Sequence, residues 1–271
     1  AGIFYARLDD GRALALPAER VRPMLETLVE LFDHKALGAD GTLDLSLSQA
    51  LALAEHEAAL RLRWVGPERL ATLAQGQRRF GELSEAEPPA GLRAVLRPYQ
   101  RYGLAWLQFI GELGLGGILA DDMGLGKTVQ TLAHILAEKA AGRLATPALV
   151  VCPTSLVANW RREAERFAPD LRVLTLHGGD RAQRFAAIPE ADLVLTTYAL
   201  LPRDAETLLP IEWALAVLDE AQAIKNPATK LARTACMLKA EHRIALSGTP
   251  MENHLGELWS LFDFLLPGFL G

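Results

Sequence analysis

The amino-acid sequence predicts an α/β protein in which a three-layer domain with a mostly parallel sheet follows a smaller, mainly helical region. After residue 90, short apolar runs alternate with amphipathic stretches, as in parallel sheets covered by helices on both faces. Before residue 90, apolar residues recur at helical spacing. Between them, SEAEPPAGL (84–92) combines charges, prolines and a glycine, which indicates a linker. We therefore predict a helical accessory region at 1–90 and a three-layer α/β domain at 91–271.

The elements follow from these patterns in order. Helices are predicted at 19–33, 47–64 and 67–80, and a proline in the first turn predicts another over Pro98–Leu113. Six buried strands are predicted at GGILA (116–120), ALVVC (148–152), LRVLTL (171–176), DLVLTT (192–197), LAVLD (215–219) and RIALS (243–247). Strands of this kind, each followed by a turn or a helix, build a parallel sheet.

Composition leaves the class of partner open. The chain has 271 residues, of which 50% are hydrophobic, and a net charge of −5. Residues 1–90 carry −4 (10 Lys and Arg, 14 Asp and Glu) and residues 91–271 carry −1 (18 and 19), so a basic stripe for nucleic acid is neither supported nor excluded. The acidic first region is a poor candidate for gripping DNA, and we expect it to be a scaffold or regulatory module.

We expect a soluble protein of the cytoplasm. No apolar run reaches the roughly 18 residues of a membrane helix, and the start lacks the order of a signal peptide. Ala-, Leu- and Arg-rich composition suggests a bacterial source, with nucleoid association if DNA is bound. Cys152 and Cys236 have no metal-ligand spacing, so we predict two reduced core thiols and no zinc site.

The segment DDMGLGKT (121–128) lies between a predicted strand and a predicted helix. Gly124 and Gly126 can turn backbone N–H groups around an anion at a helix N-terminus, Lys127 can reach outer phosphates, and Thr128 can offer its hydroxyl to Mg²⁺. Asp121 replaces the first glycine of G-x-x-x-x-G-K-[ST]. A glycine-rich turn with a solvated lysine is the alternative, and a phosphate site alone fits small-molecule kinases, transport ATPases and helicases equally.

A second constellation follows about ninety residues later, where the predicted strand in WALAVLDEAQ ends at Asp219 and Glu220. Ligands bind at the carboxyl ends of such strands. There Asp219 can hold Mg²⁺ through water, and Glu220 can polarise the water that attacks a γ-phosphate. An acidic loop is the alternative for the pair alone. With the phosphate loop, the pair predicts nucleotide hydrolysis carried by Lys127, Asp219 and Glu220, with Thr128 and Asp219 as the metal ligands.

The chain resembles the Swi/Snf-type ATPases, helicase-superfamily-two motors that translocate on duplex DNA. The resemblance covers most of residues 92–271 and rests on six ordered segments: LRPYQRYGLAWL (96–107), LADDMGLGKTVQ (119–130), LVVCPTSLVANW (149–160), LVLTTYALL (193–201), VLDEAQAIKN (217–226) and LSGTPMENHLGELWSLFDFL (246–265). The resemblance implies a RecA-like lobe and a loop in which an aspartate such as Asp121 stands at the first glycine position. It does not explain the effect of Gln222, the fourth residue of the acidic box (219–222).

The resemblance implies a complete nucleotide site that needs ATP and Mg²⁺. Gln100 would read the adenine edge and Arg97 would hold that end of the nucleotide, although either residue fits equally a polar position at the domain edge. The phosphates would lie in the loop formed by Met123, Gly124, Leu125, Gly126, Lys127, Thr128 and Val129.

The resemblance also implies a site for the backbone of duplex DNA, without sequence preference. It assigns Pro153, Thr154, Ser155, Thr196 and Thr197 to that surface, although the threonines are equally suited to capping helices. Ser247 and Thr249 would couple nucleotide state to DNA, and Trp160 is expected in the core beside Leu156 and Phe167.

The family has two RecA-like lobes, and residues 91–271 correspond to the first. We therefore expect the second lobe of the full-length protein to be a partner, and this chain to bind nucleotide with little turnover, because the arginine finger of the other lobe contributes roughly 10³–10⁵ in kcat. Two alternatives stay open: a non-catalytic nucleotide-sensing interaction module and a lobe of an RNA helicase.

Overall fold

The computed structural model describes residues 3–7, 13–17, 76, 79–248 and 255–267, with side chains at 76, 79–248 and 259–267. Residues 1–81 belong to one compact unit and residues 82–270 to another.

The first unit contains an antiparallel strand pair, β1 (Ile3–Arg7) and β2 (Ala13–Pro17), with Ile3 opposite Pro17. A mainly helical region was predicted here, and this strand pair was not predicted. A five-residue run such as ALALP fits a strand or a helix equally well, although Asp10-Gly11 between the strands is a hairpin signal. The helices predicted at 19–33, 47–64 and 67–80 lie outside the described residues, apart from helical positions 76, 79 and 80.

The second unit is built on a six-stranded sheet in the order β3-β8-β7-β4-β6-β5, in which every neighbouring pair is parallel. The strands are β3 (Gly117–Leu119), β4 (Ala148–Cys152), β5 (Val173–Thr175), β6 (Leu193–Thr197), β7 (Glu212–Asp219) and β8 (Lys239–Leu246). All five residues of β4 and of β6 are buried, as strands covered on both faces require. The predicted α/β class with a parallel sheet is confirmed.

Helices flank the sheet: α1 (Pro98–Glu112), α2 (Lys127–Ala140), α3 (Val157–Phe167), α4 (Ala205–Leu208), α5 (Lys230–Cys236) and α6 (Leu255–Leu265). Proline at the first position opens α1, as predicted. Shorter 3₁₀ turns occupy Thr154–Leu156, Arg181–Glu190 and Ala221–Ile224. Because the strands are parallel, the segments that follow β3, β4, β6, β7 and β8 all leave from one edge of the sheet, where the predicted site residues are concentrated.

In the described part of the chain, no helix combines the length and apolarity needed to cross a bilayer. The two cysteines are free, with Cys152 buried in β4 and Cys236 half-buried. Burial raises the pKa of both thiols to about 12. Neither cysteine is therefore a reactive thiolate near neutral pH.

Candidate nucleotide and nucleic-acid site

The loop between β3 and α2 takes the conformation that its glycines allow. Gly124 and Gly126 have φ values of 84° and 83°, in the left-handed region that favours glycine. Gly126 is also tightly enclosed, because a Cβ at this position would lie 2.5 Å from Nε2 of Gln100. The loop therefore turns tightly into the N-terminus of α2, whose first N–H groups and partial positive charge suit an anion.

Lys127 is not a solvated surface lysine. Its side chain is only 9% exposed, and Nζ donates to the backbone oxygens of Asp121 at 2.6 Å and Asp122 at 3.2 Å. The ammonium group is thus held inside the loop, and Thr128 follows it, half-buried, in the first turn of α2. Lys127 therefore differs from the solvated lysine of the alternative interpretation.

Asp121, which stands where the sequence motif has glycine, is held by Gln130. Nε2 of Gln130 donates to Oδ2 of Asp121 at 2.8 Å, and Gln130 is fully buried in α2. Its Oε1 points at α1, where a Cβ on Gly103 would lie only 2.0 Å away. Gln130 was not predicted as a site residue, although a glutamine among the apolar positions of VQTLAHIL was a usable signal.

A pocket of about 400 Å³ adjoins the loop at the start of α1. Its wall includes Arg97 and Gln100, the two residues predicted for the adenine end. It also includes the aromatic and cationic side chains of Arg93, Tyr99, Arg166 and Phe167, together with Gly124 and Val129. Aromatic faces beside guanidinium groups suit a nucleotide base and its phosphates.

Gln100 caps α1 and also contacts the glycine-rich loop. Its Oε1 accepts from the backbone N–H of Arg97 at 2.9 Å, which caps α1, and its Nε2 donates to the backbone oxygen of Leu125 at 3.0 Å. Tyr99 donates to the same oxygen at 3.0 Å. Because a carboxamide has two donor hydrogens and two acceptor lone pairs, each end of Gln100 keeps capacity for a ligand. Arg97 is exposed at the mouth of the pocket.

The rest of the predicted loop residues divide by exposure. Met123 is 79% exposed, Leu125 is half-buried, and Val129 packs into the core. A Cβ at Gly248 would lie 3.1 Å from Cγ of Met123, so the segment after β8 lies against the tip of the loop.

Asp219 ends β7, and its buried carboxylate is held by two N–H donors. Oδ2 accepts from Nε1 of Trp160 at 2.7 Å, and Oδ1 accepts from the backbone N–H of Glu220 at 3.0 Å. Burial is the largest influence and raises the pKa of Asp219, the Trp160 hydrogen bond opposes it, and the nearby Lys127 ammonium also lowers it. The phosphate loop and the acidic box are therefore close neighbours, with only β8 between β3 and β7.

Glu220 has φ 53° and ψ 56°, a left-handed conformation that is costly for a residue with a side chain. Its Oε2 accepts from Nε2 of Gln222 at 2.8 Å, and Oε1 of Gln222 accepts from the hydroxyl of Ser247 at 3.1 Å. A chain of hydrogen bonds thus joins Ser247, at the end of β8, to Glu220. Gln222, whose effect the sequence did not explain, is the residue that connects Ser247 to Glu220. Thr249 lies outside the described residues.

The residues assigned to nucleic acid divide into two groups. Thr154 and Ser155 are exposed and Pro153 is half-buried, immediately beyond β4, whereas Thr196 and Thr197 are buried within β6. None of these threonines provides a side-chain cap to a described helix, so the capping alternative is wrong. Only the segment after β4 presents its hydroxyls at the surface.

Two contacts at the acidic box escaped sequence reasoning. Trp160 is fully buried as expected, but it also donates to Asp219, and Tyr198 donates its hydroxyl to the backbone oxygen of Asp219 at 2.8 Å. Neither contact has a local signal, because 59 and 21 residues separate the partners along the chain.

Comparisons with known proteins match this arrangement. A family model described as the SNF2-related domain matches residues 99–271. The putative ATP-dependent helicase/translocase YwqA of Bacillus subtilis is 52% identical over 193 residues, which are 70% of this chain and 21% of that protein. The TATA-binding protein-associated factor MOT1 of Saccharomyces cerevisiae is 39% identical over 225 residues, covering 76% of this chain and 12% of its own length.

A solved structure of a Sulfolobus solfataricus SWI2/SNF2 ATPase core in complex with double-stranded DNA is 48% identical to the chain, with a TM-score of 0.65. The match covers 69% of this chain and 39% of that one. The chain thus spans about a fifth of the Bacillus relative and well under half of the solved core. With six ordered segments, the parallel sheet and a matched family model, the chain belongs to the SNF2-related family of helicase-like, ATP-binding proteins.

Proposed function

We propose that this chain is the first ATP-binding lobe of a DNA-dependent ATPase that moves along duplex DNA. The observation that carries the proposal is the pair formed by the Lys127 loop and Asp219. A cation-lined loop lies beside a buried carboxylate that, among the described residues, has no hydrogen bond from a Lys or Arg side chain. A triphosphate would supply negative charge beside Lys127, and its divalent cation would supply positive charge beside Asp219.

The donor set fits the proposed ligands. Carboxylate and hydroxyl oxygens are the ligands that Mg²⁺ prefers, and Asp219 and Thr128 provide one of each at this edge of the sheet. Mg²⁺ held by Asp219 and Thr128 would supply positive charge against the negative charge of the phosphates. Lys127 and the N–H groups of the loop would bind and orient the phosphates, and Gln100, with the pocket around it, would hold the base.

Glu220 is the proposed acceptor of a proton from the attacking water. Its backbone takes the left-handed conformation directly after β7, and the hydrogen bond from Gln222 orients the carboxylate. Through Ser247, the segment after β8 can influence the same carboxylate. Glu220 would therefore respond to movement of the predicted coupling segment.

The proposed nucleic-acid partner is the backbone of duplex DNA, gripped by this lobe and by a second RecA-like lobe of the intact protein. The DNA in the Sulfolobus complex supports this choice over RNA. The exposed Thr154 and Ser155 offer hydroxyls to a phosphate backbone. Such a protein would work in the cytoplasm, on the nucleoid when DNA is bound. We expect this lobe by itself to bind nucleotide with little hydrolysis.

The decisive experiment measures ATP hydrolysis by the intact protein with and without duplex DNA, using duplex RNA as the comparison. Hydrolysis should rise with DNA and not with RNA. A rise with RNA alone would indicate the RNA helicase alternative, and no rise with either would contradict a nucleic-acid motor.

The residue roles are tested by binding and hydrolysis together. Lys127→Ala should remove binding of Mg-ATP, whereas Lys230→Ala, at an exposed lysine that opens α5, should bind normally. Glu220→Gln should bind ATP and fail to hydrolyse it. Equal hydrolysis in all of these variants would contradict the assignment.

A further inference from the structure

Trp160 contacts the proposed magnesium ligand directly. The indole Nε1 of Trp160 and Oδ2 of Asp219 are 2.7 Å apart, and the side chains are 0% and 6% exposed. Among the described residues, the other hydrogen bond to this carboxylate comes from the backbone of Glu220, to Oδ1. One donor per oxygen fixes the plane of the carboxylate and leaves lone pairs on both oxygens for a further ligand.

The indole is a rigid donor on a rigid support. An indole N–H can only donate, and a hydrogen bond to an ionised carboxylate is short and strong. Trp160 lies near the start of α3 and is fully enclosed, so it cannot turn away from Asp219 without moving the helix. Partners of metal ligands typically change metal affinity by about 10–100-fold when removed, because they orient the ligand.

The same helix leads back to the proposed DNA surface. The exposed Thr154 and Ser155 lie directly before α3, which begins at Val157, and Trp160 follows within the first turn and a half. A second aromatic donor arrives from the other assigned segment, because Tyr198, next to Thr197, donates to the backbone oxygen of Asp219 at 2.8 Å. Each segment assigned to nucleic acid is therefore followed by an aromatic residue that donates a hydrogen bond to Asp219.

We propose that Trp160 is a positioning residue that orients Asp219 toward Mg²⁺ and links the position of α3, and hence of the Thr154–Ser155 surface, to the magnesium site. The inference rests on the proposed function, since Mg-ATP and DNA are the ligands that it connects. It assigns to the indole N–H a role distinct from the packing of the ring.

The chain offers a matched control for that distinction. Trp213 is also fully buried, and its Nε1 donates to a backbone oxygen, that of Leu208, at 3.2 Å. Trp160→Phe and Trp213→Phe each remove one indole N–H and a similar volume from a fully buried position. Only Trp160→Phe removes a donor from Asp219.

The test uses this chain and titrates a non-hydrolysable ATP analogue at several Mg²⁺ concentrations and in EDTA. In Trp160→Phe we expect the gain in affinity that Mg²⁺ provides to fall about tenfold or more, with affinity in EDTA unchanged. Trp213→Phe should match the wild type in both. Equal behaviour of the two variants would overturn the inference, whereas no Mg²⁺-dependent binding by the wild type would overturn the proposed function and the inference with it.

A measurement on the wild type covers the case in which Trp160→Phe does not fold. With ¹⁵N-labelled indoles, Mn²⁺ in place of Mg²⁺ should broaden the N–H signal of Trp160 much more strongly than that of Trp213 when the nucleotide analogue is present. If the two signals broaden equally, or if both stay sharp, the indole of Trp160 does not lie beside the metal, and the inference is wrong.

The link to DNA is tested in the intact protein at saturating Mg²⁺. The stimulation of hydrolysis by duplex DNA should fall severalfold in Trp160→Phe and stay at the wild-type value in Trp213→Phe. Full stimulation in Trp160→Phe would overturn the proposed link from α3 to the magnesium site.

Discussion

Asp192 and Asp219 lie at opposite ends of the same sheet and are each 6% exposed, yet their surroundings differ completely. Asp192, just before β6, accepts from Nζ of Lys139 at 2.8 Å, from Nη2 of Arg172 at 2.9 Å and from the backbone N–H of Arg172 at 2.8 Å. Among the described residues, the carboxylate of Asp219, at the end of β7, accepts hydrogen bonds only from an indole and a backbone N–H.

The pKa values of the two carboxyl groups are therefore shifted in opposite directions. Burial alone would raise the pKa of Asp192, but the hydrogen bonds from Arg172 and Lys139 outweigh it and lower that pKa to about 2. At Asp219 burial prevails and the pKa is raised. At the amino end of the sheet, cations of the protein compensate the buried charge of Asp192. At the carboxyl end, no Lys or Arg side chain among the described residues is hydrogen-bonded to the carboxylate of Asp219. Perturbed carboxyl groups of the second kind are concentrated at functional sites.

The largest effect expected from this contrast is on ligand binding at the carboxyl end. Asp219→Asn should reduce the Mg²⁺-dependent affinity for an ATP analogue by about 10–100-fold, as loss of a group that holds a metal directly or through water does. The free energy of unfolding should stay the same or rise by about 1 kcal/mol, because a poorly compensated charge is removed. Calorimetric titration and urea denaturation measure the two quantities, and a large loss of stability would place Asp219 with the structural carboxylates.

The opposite variant should show the opposite pattern. Asp192→Asn leaves Lys139 and Arg172 without a counter-charge, and we expect the free energy of unfolding to fall by about 1–2 kcal/mol. The value is at the low end for a buried pair because these cations, 36% and 65% exposed, can turn to water. Urea denaturation measures the loss. Nucleotide affinity should be unchanged, and a weaker affinity would contradict the separation of the two ends.

Acid should remove the contribution of Asp192 selectively. A carboxyl group with a lowered pKa in the folded state stabilises the fold above its unfolded pKa, near 3.8, and loses that contribution as the pH falls through about 2. The stability difference between the wild type and Asp192→Asn should therefore shrink by roughly 1 kcal/mol between pH 5 and pH 3. Urea denaturation across that interval tests this, and a constant difference would show that charge is not what holds Asp192.

The smallest effect is expected where the carboxyl end relies on neutral hydrogen bonds. Ser247→Ala removes the hydroxyl that donates to Gln222, a contact of about 0.5–1.5 kcal/mol. We expect a few-fold loss of DNA-stimulated hydrolysis in the intact protein. Thr234→Val, which removes a buried hydroxyl bonded to the backbone of Lys230, is the control and should leave hydrolysis unchanged. Equal losses in the two variants would remove Ser247 from the coupling path.

The sequence predicted this sheet well because its evidence is local. Runs such as LAVLD and DLVLTT are apolar and end in polar residues, so the strands and the edge carrying Asp219 follow directly. The tight turn before α2 was predictable for the same reason, since Gly124 and Gly126 lie close together in the chain and their left-handed conformations are set by residue type.

What the sequence could not predict depends on side-chain direction and on distant partners. In a strand buried on both faces, no alternation indicates which way Thr196 and Thr197 point, and the fold encloses both. A buried tryptophan in an amphipathic helix is ordinarily core, and its contact with Asp219 exists only once α3 lies against the sheet. The strand pair β1-β2 was missed because five-residue runs satisfy both periodicities.

The absence of a side chain at Gly103 has a consequence for the shape of the loop. A Cβ there would lie 2.0 Å from Oε1 of Gln130, so only glycine at this position of α1 leaves room for that side chain as it is placed. A larger residue would force Gln130 to move and would disturb its hydrogen bond to Asp121. A substitution in α1 can therefore change the loop without touching it.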